Sequence, residues 1–167
     1  MRSKLKRALT SLAVTGVAAG FTLVASAAMA SPSDHVGDPA LWGPALEALC
    51  DDPTLPAAAG YNLIDDLSDG VVDGGILHGT NGPDLILARG GNDIIDAGRG
   101  NDVVCGSFGN DDIHGGPGND ALFGGVHHNT LHGDEGRDYL DGGDQLNECD
   151  GGDNADATGP GCDVVAP

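Results

Sequence analysis

Residues 96–122 read DAGRGNDVV, CGSFGNDDI and HGGPGNDAL, three consecutive copies of one nine-residue pattern. The frame runs without insertion or deletion from residue 78 to residue 158, which gives nine copies. Each copy opens with six loop residues that are rich in glycine, the residue that most readily adopts the positive-φ conformations of tight loops. A short segment follows whose middle residue, at position nine, is usually aliphatic and predicts a strand with one inward side chain. The sequence therefore predicts a solenoid of loop-and-strand units.

An acid or its amide occupies position seven of every copy. These residues are Asp84, Asp93, Asp102, Asp111, Asp120, Asn129, Asp138, Asn147 and Asp156. Asp and Asn favour turns on their own account, but turn formation does not explain an acid every nine residues in a strongly acidic chain. Calcium takes about six to eight oxygen ligands and combines carboxylates with backbone carbonyls. The pattern indicates a solenoid held together by Ca²⁺.

The copies resemble the glycine-rich calcium-binding nonapeptide repeats of the RTX (repeats-in-toxin) type. The resemblance covers residues 78–158. It implies an all-β fold, a parallel β-roll (a right-handed β-solenoid) of about nine repeats, in which successive strands belong to opposite sheets. Two copies then make one coil, so that neighbours in space lie eighteen residues apart and share calcium ions between them.

Stacking at eighteen residues divides position seven between two edges of the roll. The odd-numbered copies supply Asp84, Asp102, Asp120, Asp138 and Asp156. The even-numbered copies supply Asp93, Asp111, Asn129 and Asn147. Because an amide offers an oxygen without charge, Asn129 and Asn147 are predicted to be the weaker ligands. We expect one edge to bind calcium along its whole length and the other edge only in its first half.

Position nine is expected to build a thin core of two inward columns. One sheet contributes Ile95, Ile113, Leu131 and Cys149, and the other contributes Ile86, Val104, Leu122, Leu140 and Thr158.

Residues 1–30 are predicted to be a signal peptide. Four basic residues between Arg2 and Arg7 precede an uncharged stretch, and Ala28-Met29-Ala30 supplies the small residues of a cleavage site. Cleavage is expected after Ala30, with Ala27 as the alternative, which predicts a secreted, extracellular protein with no membrane attachment. The other reading, an uncleaved membrane anchor, is disfavoured because Ser and Thr dilute the apolar stretch.

The chain after residue 30 carries three arginines and no lysine against 26 acids, a net charge near −23. Such a chain is not expected to bind nucleic acid or an anionic membrane; its expected partner is a cation, and it is expected to be a monomer. Its 27 glycines cost conformational entropy on folding. High charge and little apolar burial oppose unaided folding, so folding is predicted to be coupled to calcium binding.

The segments that flank the repeats give further expectations. Residues 31–60 are interpreted as a cap with a short helix, beginning near Asp38-Pro39, that covers the open end of the solenoid; a disordered linker is the alternative. Residues 61–77 are interpreted as two degenerate copies in the same frame, because Asp66 lies eighteen residues before Asp84. Residues 159–167 are interpreted as a tail.

Four cysteines in an exported chain indicate two disulfides, for which three connectivities are possible. Cys149 and Cys162 flank the last copy, and we expect this pair together with Cys50–Cys105.

His78, His114 and His132 fall in one outward column with Asp96 and Asp150. Imidazoles at this density could bind zinc or copper. The alternative is that they are surface histidines on a tolerant face.

The sequence thus predicts a secreted β-roll that binds calcium and has no enzymatic activity. No HExxH or GxSxG motif lies outside the repeats. One alternative is a cell-surface adhesion or scaffold module that calcium rigidifies. A less favoured alternative is a remnant of a larger secreted hydrolase or toxin.

Overall fold

The computed structural model describes residues 46–51, 60–66 and 74–166. Within these ranges the chain is almost entirely β, with one short helix, α1 (Ala48–Asp51). No helix in the described part is long and apolar enough to cross a membrane. The predicted signal peptide and the start of the predicted cap helix lie outside the described residues. The strands are β1 (Asn62–Asp65), β2 (Ile76–His78), β3 (Asp84–Leu87), β4 (Ile94–Asp96), β5 (Val103–Cys105), β6 (Asp112–His114), β7 (Pro117–Gly118), β8 (Ala121–Phe123), β9 (Thr130–His132), β10 (Glu135–Gly136), β11 (Tyr139–Asp141), β12 (Asn147–Asp150), β13 (Ala157–Thr158) and β14 (Cys162–Ala166).

Two parallel six-stranded sheets form the body of the molecule. Sheet 1 has the order β1-β3-β5-β8-β11-β13, and sheet 2 has the order β2-β4-β6-β9-β12-β14. Strands β7 and β10 form a separate small parallel pair. Within the repeats, paired residues lie eighteen apart, as for Ile86 opposite Val104 and Val104 opposite Leu122. Because consecutive copies alternate between the sheets, the predicted parallel β-roll is confirmed.

Position nine fills the space between the two sheets. Eight of the nine predicted inward residues are buried, namely Ile86, Ile95, Val104, Ile113, Leu122, Leu131, Leu140 and Cys149. Thr158 is the exception: it pairs with Leu140, but its side chain is exposed. It lies on β13, the last strand of sheet 1, where no further strand covers it.

A second apolar cluster lies on the outer face of sheet 1, and the sequence analysis missed it. In copies one, three and five the residues on both sides of the inward residue are apolar, so that side chains alternating away from the inner core are apolar as well. The buried residues of this cluster are Leu46, Leu49, Tyr61, Leu85, Leu87, Val103, Cys105, Ala121, Phe123 and Tyr139. Leu46 and Leu49 of the predicted cap segment pack against this face of the sheet, and most of the remaining cap segment lies outside the described residues.

Both ends of the roll depart from the expected frame. Asn62, and not Asp66, lies opposite Asp84 in the pairing of β1 with β3, so the first coil is four residues longer than the others. At the other end, part of the predicted tail forms β14, which pairs with β12 through a register shift. Sheet 2 therefore extends one strand beyond the nine repeats.

Two disulfides connect these parts of the fold. Cys50–Cys105 joins α1 to β5, with the two Cα atoms 5.8 Å apart. Cys149–Cys162 joins β12 to β14, with a Cα separation of 5.5 Å. The first fixes the cap segment to the outer face of sheet 1, and the second fixes the terminal strand of sheet 2.

Packing of the cap against the sheet makes Leu49 a buried residue, whereas Leu146 is 66% exposed. Leu49→Ala should lower the free energy of unfolding by about 2–5 kcal/mol, the usual cost of removing a buried leucine side chain. Leu146→Ala, the matched control, should change it by less than about 0.5 kcal/mol. Urea unfolding in saturating calcium with intact disulfides measures both values. Equal effects of the two substitutions would contradict the packing described here.

Candidate metal sites at the edges of the roll

The position-seven side chains form two ladders, one at each edge of the roll. The odd ladder consists of Asp84, Asp102, Asp120, Asp138 and Asp156, and the even ladder of Asp93, Asp111, Asn129 and Asn147. All of them except Asp156 are no more than 3% exposed. Each residue directly precedes or begins a strand, so that the strand pairing sets the spacing within a ladder. Buried carboxylates require partners or neutralisation, and the contacts of each oxygen therefore decide what the ladders can do.

One oxygen of each inner side chain holds two coils together. In the odd ladder Asp120 Oδ1 accepts a hydrogen bond of 2.8 Å from the backbone N–H of Asp102, and Asp138 Oδ1 accepts one of 2.8 Å from that of Asp120. In the even ladder Asp111 Oδ1 accepts from Asp93 N–H at 2.9 Å. The donor always lies eighteen residues before the acceptor. Position seven is therefore structural through one of its two oxygens.

A second ladder runs beside the first at position six and was missed by the sequence analysis. Asn92 Oδ1 accepts from the backbone N–H of Asn110 at 2.8 Å, and Asn101 Oδ1 accepts from that of Asn119 at 3.0 Å. These bonds run in the opposite direction, because here the donor lies eighteen residues after the acceptor. The recurring Gly-Asn-Asp triplet was the available signal.

The other oxygen of five aspartates has no hydrogen-bond partner although it is buried. These atoms are Oδ2 of Asp93, Asp102, Asp111, Asp120 and Asp138. Three belong to the odd ladder, where they are consecutive, and two belong to the first half of the even ladder. A buried, unpartnered carboxylate oxygen is costly, and this pattern marks a position for a cation.

A backbone carbonyl of the next coil faces the same point as the orphaned oxygen. A methyl group placed on Gly115 would lie 2.7 Å from Asp120 Oδ2 and 2.9 Å from the Gly133 carbonyl oxygen. Gly106 lies in the same way between Asp111 Oδ2 and the Gly124 carbonyl, and Gly133 between Asp138 Oδ2 and the Gly151 carbonyl. In copies two and three this position is alanine. Carboxylate and carbonyl oxygens are the donors that calcium prefers. The residues present therefore fit a hard divalent cation.

Asn129 and Asn147 do not present an oxygen at the equivalent point. Asn129 Oδ1 accepts the backbone N–H of Asp111 at 2.9 Å, which turns the amide nitrogen toward the site. Asn129 Nδ2 then donates to the Gly142 carbonyl at 3.5 Å, and Asn147 Nδ2 donates to that of Gly161 at 3.1 Å. The carbonyls that would contact a cation thus accept amide hydrogens. The expectation that these residues serve as weak ligands through an amide oxygen is not supported by this geometry.

The two terminal aspartates of the odd ladder also differ from the inner ones. Asp84 is buried but satisfied by protein donors: its Oδ2 accepts from Thr80 N–H at 2.6 Å, and its Oδ1 accepts from Asn62 Nδ2 at 3.0 Å. Asp156 Oδ1 accepts from Asp138 N–H at 2.9 Å, but its side chain is only half-buried. The strongest candidate positions on this edge are therefore the middle three.

The environment of the orphaned oxygens opposes their ionisation. Burial raises the pKa of Asp102 and of Asp138 to about 7 and that of Asp111 to about 6, although a backbone hydrogen bond acts against this rise in each case. Burial likewise raises the pKa of Asp120 well above its usual value, with added repulsion from Asp102 and Asp138. The raised pKa values mean that Asp102, Asp111, Asp120 and Asp138 bind protons more readily than free carboxyls do, and a bound cation would compete with those protons.

One family model, described as RTX calcium-binding nonapeptide repeat (4 copies), matches residues 70–104, 105–126 and 123–157, more than half of the chain. No curated protein and no solved structure is significantly similar to the chain.

The raised pKa values predict an unusual dependence of stability on pH when calcium is removed. A carboxyl whose pKa rises on folding stabilises the fold below its unfolded value, near 4, and loses that contribution as the pH rises through its folded value. In chelator, the free energy of unfolding should therefore fall from pH 5 to pH 8. Asp102→Asn should flatten this slope, because the pKa of Asp102 is raised to about 7.

The control for this experiment is Asp153→Asn, which removes the same charge from an exposed side chain. It should leave most of the slope in place. Far-UV circular dichroism in chelator at several pH values measures the folded fraction, from which the slopes follow. A stability in chelator that does not change between pH 5 and pH 8 would contradict the prediction.

Proposed function

Because the chain belongs to the family of RTX calcium-binding nonapeptide repeat proteins, we propose that it is an exported protein whose β-roll folds when calcium binds along its two ladders. The family membership makes it a calcium-binding β-roll. The observation that carries the proposal further is the set of five buried Oδ2 atoms without a protein partner. None of them has a hydrogen-bond partner among the described residues, and those of Asp111, Asp120 and Asp138 also lie beside a glycine and a backbone carbonyl of the next coil.

Coupling to folding follows from the energetics of these carboxylates. A carboxylate that is ionised and unpaired inside the roll costs several kcal/mol. A protonated carboxyl avoids this cost but loses its charge at neutral pH. A cation bound only to the folded state stabilises that state by about 2.7 kcal/mol at one hundred times its dissociation constant. Several such ions acting together outweigh the repulsion within a chain whose net charge is near −23 after residue 30.

The requirement for calcium is proposed to be uneven along the roll. The odd ladder has three consecutive orphaned oxygens, at Asp102, Asp120 and Asp138, whereas the even ladder has them only at Asp93 and Asp111. Beyond these, amide hydrogen bonds of Asn129 and Asn147, together with the Cys149–Cys162 disulfide, hold the even edge. The C-terminal half of the even edge thus needs no ion.

Export is supported by two independent features of the chain. The first 30 residues have the basic start, apolar stretch and small-residue site of a signal peptide. The described cysteines are all paired, as Cys50–Cys105 and Cys149–Cys162, which is typical of oxidising compartments. Extracellular calcium then supplies the ions on which folding depends.

A reciprocal pair of substitutions tests both binding and its coupling to folding. Asp120→Asn gives the odd ladder the amide that Asn129 provides, so the new Nδ2 can donate to the Gly133 carbonyl. This variant should bind one calcium ion fewer and should be more stable than the parent in chelator. Asn129→Asp creates an orphaned oxygen near the Gly142 carbonyl. It should bind one ion more and be less stable than the parent in chelator.

Calorimetry gives the calcium stoichiometry, and far-UV circular dichroism gives the stability with chelator and with saturating calcium. The two variants change the same atom in opposite directions, so each is the control for the other. If the stoichiometry stays the same in both, calcium does not bind at position seven. If the stoichiometry changes but stability in chelator does not, binding is real and its proposed coupling to folding is wrong.

A further inference from the structure

The outer face of sheet 2 carries a polar cluster that the calcium ladders do not use. The strand pairing places His78 beside Asp96, Asp96 beside His114, and His114 beside His132. Asp112 lies two residues before His114 on β6 and therefore projects from the same face. The rings of His114 and His132 are stacked, with centroids 4.6 Å apart and planes inclined by 15°.

Three side chains of this cluster converge closely enough to bind one metal ion. One ligand atom from each of Asp112, His114 and His132 lies within 4.8 Å of the others. Asp112 Oδ1 is 3.4 Å from His114 Nε2. Two ligands about 2.0–2.1 Å from a tetrahedral zinc ion are separated by about 3.3 Å. The Asp112–His114 pair already has the spacing of one edge of such a site.

A fourth residue stands where a metal-bound histidine needs support. His114 Nδ1 lies 3.5 Å from Asp134 Oδ2, on the opposite side of the ring from Asp112. Ligating histidines usually donate their second N–H to a carboxylate, which fixes the ring and increases its basicity. Each ring nitrogen of His114 therefore faces a carboxylate. Nε2 faces Asp112, which is placed to be a second metal ligand, and Nδ1 faces Asp134, which is placed to support the ring.

The backbone beneath the cluster is held by hydrogen bonds between coils. Gly115 N–H donates to the His132 carbonyl at 2.8 Å, and Ala97 N–H donates to the His114 carbonyl at 2.9 Å. The residue between Asp112 and His114 is the fully buried Ile113. The spacing of the three side chains thus follows from the roll itself, which is a more precise scaffold than a loop.

We propose that Asp112, His114 and His132 bind a transition-metal dication of the zinc type on the outer face of sheet 2, with Asp134 positioning His114. Two imidazoles and a carboxylate favour zinc over calcium, which prefers oxygen ligands alone. Water completes the tetrahedral shell, because the side chains of Asp112 and His114 are 52% and 42% exposed. The site uses none of the position-seven side chains and needs only the folded sheet.

Zinc chloride titrated into the calcium-saturated protein, followed by calorimetry, tests the site. The parent should bind one zinc ion, and His132→Ala and Asp112→Asn should each weaken binding at least tenfold. Asp134→Asn should weaken it by about 10–100-fold, as expected for a supporting carboxylate. His78→Ala is the matched control, because His78 lies in the same outward column beside Asp96 but is not one of the three converging side chains. This variant should bind zinc as the parent does.

Far-UV circular dichroism in calcium is recorded first for every variant, so that a failure of the roll to fold is distinguished from loss of zinc. Replacing zinc with cobalt(II) should give the intense visible absorption of a tetrahedral ion in the parent and lose it in His132→Ala. Absence of zinc binding by the folded parent would overturn the proposal. Equal weakening of zinc binding by His78→Ala and His132→Ala would also overturn it, because zinc would then be binding to surface histidines in general.

Discussion

The fold depends on aspartate carboxylates whose two oxygens have different roles. At Asp102, Asp120 and Asp138, Oδ1 accepts a backbone hydrogen from the coil eighteen residues earlier, while the buried Oδ2 has no protein partner. The hydrogen bond to Oδ1 aligns the coils, whereas Oδ2 remains unsatisfied. A β-roll built in this way encloses a set of oxygen ligands for a cation, and this is the basis for our proposal that calcium binding and folding are parts of one equilibrium.

The two sheets differ in the chemical character of their outer faces. Sheet 1 is apolar on most of its outer face, where Leu46 and Leu49 pack against it and the Cys50–Cys105 disulfide ties α1 to β5. The outer face of sheet 2 is mostly polar apart from the exposed Ile76 and Ile94, and it carries the Asp112–His114–His132 cluster. Both share the inner core of position-nine side chains. The asymmetry arises because apolar residues flank the inward residue on both sides in copies one, three and five, whereas at most one flanking residue is apolar in each even-numbered copy.

The nine-residue period, together with the family that its copies resemble, was sufficient to predict the β-roll, the eighteen-residue pairing, the inward columns and the outward histidine column. It could not predict what breaks the period. The longer first coil places Asn62 opposite Asp84, and a frame count alone favoured Asp66. The orientation of Asn129 was equally hidden, because it is decided by a backbone N–H eighteen residues away that requires the amide oxygen. The packing of Leu46 and Leu49 on sheet 1 could be predicted only by considering the apolar residues of neighbouring strands together, rather than those of a single copy.

The most direct test of the account is to locate the ions in crystals of the calcium-loaded protein by anomalous diffraction. The account predicts calcium beside the free oxygens of Asp93, Asp102, Asp111, Asp120 and Asp138, and none beside Asn129 or Asn147. Equal occupancy at the aspartate and asparagine positions, or ions bound only to exposed surface carboxylates, would contradict it.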